Sequence, residues 1–330
     1  MSTEIEYAEG VRQAFDWLMS NDDKVFAIGQ GLWSPWYVGA TMTDLDKKFG
    51  KGRVIDTPVS ELATTAVAVG AAIQGYRPIV IHPRMDFMIL GTDPIVNQAA
   101  KWSYLFGGRS SAPVTIRSIV NRGGEQGAQH SQALHSWYAH IPGLRVLMPA
   151  TAADARDLLI WGTLSEDPVL YIDDRWLYQE TGVVGDIDPE RPLSSVLPNV
   201  LREGDAVTLV AASWPVKLAR EAAEILADEG IAAEVIDLRQ INPINHSVTI
   251  ASVAKTGRLV AIDGSWANCG LSAEILAGAV EGVSPSAWKA QPARITLANA
   301  PAPAARSLEA AYYPDVERVV ATARRMVRGQ

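Results

Sequence analysis

Hydrophobic positions along the chain follow two spacings, one typical of helices and one of short buried strands. Apolar residues recur at helical spacing over about residues 7–19, and a short apolar strand, Val25–Gly29, comes next. The alternation continues to the end of the chain. Further strands are predicted at 54–56, 78–81, 114–119, 144–148, 169–172, 206–211, 233–238, 258–262 and 294–297, and helices at 61–74, 85–102, 152–164, 213–230 and 315–328. Short apolar strands between helices predict mostly parallel sheets covered on both faces.

One stretch interrupts this alternation. Between about residues 178 and 203 the chain is rich in Gly, Pro and Asp, a composition typical of a linker. The length of 330 residues suits about two domains with full hydrophobic cores. We therefore predict two doubly wound α/β domains, residues 1–185 and 204–330, joined by a linker at 186–203.

Composition narrows the classes of function. The content of 48% hydrophobic and 20% charged residues is that of a soluble globular protein. The pattern shows neither an apolar run of membrane-spanning length nor a secretory signal at the N-terminus, so we expect a cytoplasmic protein. The single cysteine, Cys269, excludes an internal disulfide and a cysteine-built metal cluster. A net charge of -8 argues against nucleic acid and anionic membranes, which leaves small molecules or proteins as partners.

Glu61 stands at the head of a long uncharged stretch. The fourteen residues that follow it carry no charge, so the predicted helix has no polar face and is expected to be buried against a core or a partner. Two interpretations remain open. An acid in the first turn is favoured by the helix dipole and is often structural, whereas a carboxylate shielded from water can also meet a ligand.

A second candidate, His130, lies in a glycine-rich run that follows the strand at 114–119. Ligands of parallel α/β sheets bind past the carboxyl ends of strands, so His130 is either functional or a hydrogen-bonded structural residue. No Gly-x-Gly-x-x-Gly or Walker lysine motif occurs, and Asp263-Gly264 matches only part of a Gly-Asp-Gly motif. The chain therefore shows no phosphate-binding loop and no metal site of its own.

Several short sequence blocks together point to a known family. The blocks are Asp56-Thr-Pro-Val-Ser-Glu61, Met85-Asp-Phe87, Asp93-Pro-Ile-Val-Asn-Gln98, Phe106-Gly-Gly108, Gly127-Ala-Gln-His-Ser-Gln132, His140-Ile-Pro-Gly143, Met148-Pro149 and Val235-Ile-Asp-Leu-Arg239. In this order, from about residue 5 to 325, the chain resembles the beta subunit of the thiamine-diphosphate-dependent 2-oxo acid dehydrogenases.

The resemblance implies a transketolase-like pyrimidine-binding domain followed by a transketolase C-terminal-like domain. It implies an alpha2beta2 heterotetramer in which the alpha subunit carries the Gly-Asp-Gly motif, the diphosphate and its Mg²⁺, so that thiamine diphosphate is shared between the subunits. The implied activity is decarboxylation of a 2-oxo acid and transfer of the acyl group to lipoamide, with a lipoyl acyltransferase core as a further partner.

The resemblance also assigns roles to individual residues. Glu61 would share a proton with the aminopyrimidine of the cofactor, and Phe87 would stack on that ring. His130 would lie near the reacting carbon and the substrate. Val59 is a candidate neighbour in the same pocket, and Gln30 stands where the family has a carboxylate on the cofactor side.

Some features depart from the family pattern. Gln30 replaces an acid, Arg84 places a cation where a substrate carboxylate or phosphate would enter, and the basic tail 324–330 would weaken docking on a basic lipoyl core. A salt bridge on the surface or to another subunit is an equal explanation for Arg84. Gln30, the aromatic loop at 32–37 and the basic tail favour an alternative function, a two-component transketolase-like carboligase with an aldehyde acceptor, whereas the block-by-block family match favours the dehydrogenase. The sequence names neither the 2-oxo acid nor the acceptor.

Overall fold

The computed structural model describes residues 3–329 and divides into two compact units. The first is built from the chain up to Arg122 together with Trp137–Val196, and the second from Gly123–Ser136 together with the chain from Leu197 onwards. Both are layered α/β structures, so the predicted fold class is confirmed. No helix within residues 3–329 is long and apolar enough to cross a membrane.

The first unit contains a parallel sheet. Its strands, with a separate pair β1 and β8, are β1 (Thr3–Glu6), β2 (Val25–Gly29), β3 (Val54–Asp56), β4 (Arg77–His82), β5 (Thr115–Val120), β6 (Arg145–Leu147), β7 (Val169–Asp174) and β8 (Thr181–Val184). The sheet has the order β6-β7-β5-β4-β2-β3, with Ile28 beside Ile55 and Ile79 beside Thr115. Strands β1 and β8 pair antiparallel. Strand β8 lies within the stretch 178–203 that was predicted to be irregular, whereas β1 lies near the start of the chain.

Helices cross between these parallel strands, as parallel connections require. Up to residue 164 they are α1 (Tyr7–Asn21), α2 (Leu45–Phe49), α3 (Glu61–Ile73), α4 (Met85–Met88), α5 (Ala100–Leu105), α6 (His135–Ala139) and α7 (Ala152–Leu164). The strands between them are almost entirely buried, and their Val, Ile and Leu side chains form the core. Continuous apolar strands of this kind are typical of a sheet covered on both faces.

The continuous helix predicted over 85–102 was wrong, because the chain breaks there into short pieces. Helix α4 passes into a 3₁₀ turn at Ile89–Gly91 and then a π-helical segment at Pro94–Ala99 before α5 begins. Pro94 has no backbone N–H to continue an α-helical ladder. Gly91 packs so closely on α3 that a Cβ would lie 2.6 Å from Thr65 Oγ1, so the chain at the break has no room for a side chain at this position.

Helix α3 is buried on one side only. Thr64, Thr65 and Ala68 face the sheet, whereas Leu62 and Val67 are 54% and 58% exposed. The sequence predicted a helix that is apolar on every side and buried against a core or a partner. Within the single chain the apolar outer face of α3 is uncovered.

The second unit has its own mostly parallel sheet. From residue 197 on, its elements are β9 (Asn199–Arg202), β10 (Val207–Ala211), α8 (Trp214–Asp228), β11 (Ala233–Asp237), β12 (Gln240–Asn242), α9 (Ser247–Thr256), β13 (Leu259–Ile262), α10 (Leu271–Gly282), β14 (Ala293–Ile295), α11 (Arg306–Tyr312) and α12 (Val316–Arg328). One sheet has the order β14-β13-β10-β11-β9, and only β9, from the predicted linker, runs antiparallel in it. The pattern did not predict α9, α10 and α11.

A buried charge network ties the first unit together. The guanidinium of Arg117, on β5, is fully buried and donates to Asp173 on β7, to Tyr178 Oη at 3.0 Å and to Thr41 Oγ1 at 2.8 Å. Burial by itself would lower the pKa of Arg117, but Asp173, Tyr178 and Tyr171 together raise it by more than burial lowers it. Arg117 therefore stays charged and requires its partners.

His82, the last residue of β4, lies under α3. Its side chain is buried, and Nε2 lies 3.1 Å from Thr65 Oγ1. The Thr65 hydroxyl donates to Glu61 O at 2.7 Å, so it accepts from His82 and the Nε2–H tautomer follows. Burial lowers the pKa of His82 to about 4, which keeps the imidazole neutral near pH 7.

This burial predicts a pH-dependent stability. Below its unfolded pKa of about 6.5, His82 binds protons more readily in the unfolded chain. The contribution of neutral His82 to the free energy of unfolding is therefore complete above that pH and is lost as the pH falls towards 4. We expect the free energy of unfolding to fall by about 2 kcal/mol between pH 7 and pH 5 through this residue. Urea unfolding at both pH values should show the fall in the wild type and a smaller one in His82→Leu, and an equal fall in both proteins would contradict the assignment.

Candidate functional site

A small recess opens at the carboxyl edge of the sheet in the first unit. It gathers the ends of β2 and β4, the turn after β3 and the first turn of α3. Its lining residues are Gly29, Gln30, Thr57, Ser60, Glu61, Thr64, Ile81 and His82. Ligand sites of open parallel sheets lie at this edge, so the topology and the recess indicate the same place.

Glu61 is the acid of this recess. It is the first residue of α3 and is only 7% exposed. Its side chain accepts no hydrogen bond from residues 3–329, and the helix has no side-chain cap at Ser60. The capping interpretation therefore has no hydrogen bond to support it. The carboxylate oxygens of Glu61 therefore remain available to a ligand as hydrogen-bond acceptors.

Gln30 reaches the recess from the turn after β2. Asp56, at the end of β3, fixes this turn by accepting from Gly31 N at 2.6 Å and from Leu32 N at 3.3 Å. Gly31 has a φ of 71°, and a Cβ there would meet the Tyr37 ring at 2.1 Å, so no other residue fits without a shift. The turn therefore presents a neutral amide beside the carboxylate of Glu61.

Glu61 is the single acid among the residues that line the recess. Gln30 is neutral, and His82 is kept neutral by burial. The backbone is close here as well, because a Cβ on Gly29 would lie 2.5 Å from Ile81 O. A neutral imidazole, an amide and several hydroxyls supply hydrogen bonds, and Glu61 is the group able to exchange a proton.

Three other predicted residues lie near the recess in the chain but do not line it. Phe87 is half-buried on α4, and Val59 is 73% exposed just before α3. Arg84 is half-buried immediately before α4. Burial lowers the pKa of Arg84, and the nearby positive charge of Arg175 lowers it further. The structure thus brings together Glu61 and Gln30 among the predicted site residues of this unit.

His130 belongs to the second unit, within the segment Gly123–Ser136. It is half-buried, and its backbone N–H donates to Gly127 O at 3.4 Å. The preceding turn has positive φ at Glu125 and at its glycines, so it follows a tightly specified path. The predicted pair of catalytic residues is therefore divided between the two units.

His82 is the site residue that the sequence analysis did not select. The signal was present, because a polar residue ends the apolar strand 78–81 at the edge where ligands bind. Its neutral state, however, depends on burial under α3 and is not encoded locally. Across the described chain, residues 3–329, no group of three or more His, Cys, Asp or Glu side chains is arranged to hold a metal ion.

Comparison with known proteins agrees with these features. The transketolase pyrimidine-binding domain matches residues 3–180, and the transketolase C-terminal domain matches residues 198–319. A solved structure described as a split gene transketolase, inactive beta4 tetramer, covers 98% of this chain and 98% of its own with a TM-score of 0.77. Its identity of 23% supports the fold alone.

The curated relatives are closer in sequence. The pyruvate dehydrogenase E1 component subunit beta-2, mitochondrial, of Oryza sativa subsp. japonica is 40% identical over 98% of this chain and 86% of its own length. The corresponding beta subunit of Bos taurus is 36% identical over 96% of this chain and 89% of its own length. The resemblance predicted from the sequence blocks is thereby confirmed. The chain belongs to the transketolase-like family that includes the beta subunits of the pyruvate dehydrogenase E1 component.

Proposed function

We propose that this chain is the beta subunit of a two-component thiamine-diphosphate enzyme that decarboxylates a 2-oxo acid and transfers the acyl group to lipoamide. The observation that carries the proposal is Glu61, a buried acid without a partner in residues 3–329, at the first turn of α3 in a recess at the sheet edge. The relatives described above, named as E1 beta subunits, support the same activity.

The recess suits the edge of an aminopyrimidine ring. Glu61 offers a carboxylate to a ring nitrogen, Gln30 offers an amide, and Ile81 supplies an apolar wall. None of the lining residues forms a phosphate-binding loop, which agrees with a cofactor whose diphosphate and Mg²⁺ are held by the alpha subunit. When bound, thiamine diphosphate supplies a carbon nucleophile for the 2-oxo group and accepts the electron pair left by carbon dioxide.

The residues of the recess have separate roles in the proposed proton transfer. Glu61 holds or releases a proton at the pyrimidine nitrogen, in a site where little water competes for it. His82 does not compete, because its pKa of about 4 keeps it neutral and its Nε2–H is directed to Thr65. Gln30 contributes a hydrogen bond without a second charge.

Roles for the remaining residues are part of the proposal. Phe87 stacks on the pyrimidine, with Val59 beside it, and His130 binds the substrate or transfers a proton at the reacting carbon. Arg84 attracts the carboxylate of the 2-oxo acid. The positive charge of Arg175 beside it supports this, because two neighbouring guanidinium groups favour an anion.

The alpha subunit is proposed to cover the outer face of α3. Leu62 and Val67 are more than half exposed there on a helix without a single charged residue after Glu61. An uncovered apolar helix face of this kind is typical of an interface. Covering it next to the recess would exclude water from Glu61, and two such pairs would form the alpha2beta2 heterotetramer.

A lipoyl acyltransferase core remains a proposed further partner. The basic tail predicted to oppose docking is partly neutralised, since Arg324 Nε and Arg328 Nη2 donate to Glu229 at 2.8 and 3.0 Å. Gln330 lies outside the described residues. The cytoplasmic location also remains a proposal from the composition, while the relatives named above are mitochondrial.

Reconstitution tests the proposed function directly. The chain is paired with an alpha subunit of the same family, and carbon dioxide release from a panel of 2-oxo acids is followed with lipoamide or an aldehyde as acceptor. Acyl transfer to lipoamide supports the dehydrogenase. Transfer to the aldehyde alone would instead support the carboligase, which the neutral Gln30 favours, and no decarboxylation with any donor would overturn both.

Replacing Glu61 by Gln should abolish most of the turnover. The change removes the proton-exchanging group but keeps its size, so we expect kcat/KM to fall by roughly 10²–10⁴-fold. Glu317→Gln is the matched control, because Glu317 is an exposed acid in the first turn of α12. Similar losses in the two variants, measured on the reconstituted enzyme, would exclude a specific role for Glu61.

Replacing Gln30 by Glu should move the acid limb of the pH–rate profile. The new carboxylate would share the recess with Glu61, and two nearby carboxylates do not both ionise at the usual pH. We expect the apparent pKa of this limb in kcat/KM to rise by about one unit. Gln30→Met, which removes the amide without adding charge, should leave the limb in place. An unchanged profile in Gln30→Glu would show that residue 30 does not interact with the proton-exchanging acid.

A further inference from the structure

The buried pair His135–Asp263 is not used by the proposed chemistry. His135 Nε2 lies 3.0 Å from Asp263 Oδ1, and the two side chains are 1% and 0% exposed. The other ring nitrogen, Nδ1, is buried and has no hydrogen-bond partner in residues 3–329. Asp263 is therefore the group that satisfies this imidazole, and Nε2–H donates to the carboxylate.

Asp263 is itself held rigidly. It follows β13, and its Oδ1 accepts from Ser265 N at 3.0 Å. Its Oδ2 accepts from Ser272 N at 3.0 Å, in the first turn of α10. Gly270 packs so closely that a Cβ would lie 3.0 Å from Oδ2. The carboxylate is thus a fixed acceptor on the framework of the second unit.

The segment Gly123–Ser136, the His130 loop, is attached to this framework at both ends. At its start, Gly123 N donates to Tyr313 Oη at 3.3 Å, and Glu125 N donates to the Glu309 carboxylate at 3.2 Å. At its end, Ser265 Oγ donates to Ala133 O at 2.8 Å, beside the His135–Asp263 contact. His130 lies between the two attachments.

We propose that His135 and Asp263 are positioning residues that fix the end of the His130 loop, and thereby place His130 for its reaction. The catalytic part of this inference rests on the proposed function, whereas the effect on the loop does not. A hydrogen bond from a buried imidazole N–H to a carboxylate is stronger than one between two neutral groups, so its loss weakens the attachment of this loop end more than the loss of the Ser265–Ala133 contact would.

Three variants separate a positioning role from general packing. His135→Phe keeps a ring of similar size and leaves Asp263 bonded to its two backbone N–H groups. His135→Gln retains an N–H donor close to the position of Nε2. His246→Phe is the matched control, since His246 forms the looser pair of this unit with Glu274, at 3.5 Å. His135→Leu replaces the Phe variant if that protein does not fold.

Hydrogen exchange of residues 123–134 in the full-length chain is the primary measurement. We expect exchange about tenfold faster in His135→Phe, near the wild-type rate in His135→Gln and unchanged in His246→Phe, with the rest of the second unit unaffected. Unchanged exchange in His135→Phe, or an equal increase in His246→Phe, would overturn the proposal.

Turnover of the reconstituted enzyme then tests the consequence for His130. In His135→Phe we expect kcat to fall about tenfold while KM for the 2-oxo acid changes less than about threefold, with recovery in His135→Gln. Faster loop exchange without a fall in kcat would refute the positioning role. If the wild type shows no turnover, the proposed function fails, and the exchange result still decides whether the pair holds the loop.

Discussion

The first unit depends on the buried positive charge of Arg117. A guanidinium without water needs an anion and several acceptors, and these come from β7, from the loop after β2 and from the segment after β7. Tyr178, one of the partners, also stacks on Tyr7 of α1 with ring centroids 6.0 Å apart. Arg117 thus connects β5 with β7 and with the loop after β2, and through Tyr178 it also connects the sheet with helix α1.

The contacts of Asp56 and of Arg117 hold the segments that line the recess in place. The segment after β2 is held at its beginning by Asp56, which binds the turn at Gly31, and further along by Thr41 in the Arg117 network. Gln30 lies at the start of this segment, so its amide is placed by contacts made elsewhere. Glu61 is placed by the start of α3, and α3 is placed by its packing on β4 and by the close contact between Thr65 and Gly91.

Burial, more than the number of titratable residues, decides which side chains of the recess carry a charge. His82 would be partly charged in water near neutral pH, but under α3 it is neutral and its Nε2–H is engaged. Glu61 is then the one acid that lines the recess, and the proposed function assigns the proton exchange to it. The resemblance implies a carboxylate at the position of Gln30, and the neutral amide there leaves Glu61 as the one acid that lines the recess.

The predicted site residues belong to different units of the chain. The His130 loop interrupts the first unit in sequence, but it packs with the second, where Asp263, Ser265 and Glu309 hold it. The apolar outer face of α3, with Leu62 and Val67, is the surface that the proposed alpha subunit would cover.

The sequence alone determined the α/β class, most strands, Glu61 at the start of α3, and the family. These features depend on local periodicity and on short sequence blocks, which are visible in a few consecutive residues. The tertiary structure decided the break of the helix predicted over 85–102, the neutral state of His82 and the pairings of Arg117 and His135. Each depends on burial or on a partner distant in sequence, such as Asp263 for His135, 128 positions away. Local patterns cannot specify such features, because the dielectric environment and the neighbours of a side chain exist only once the chain has folded.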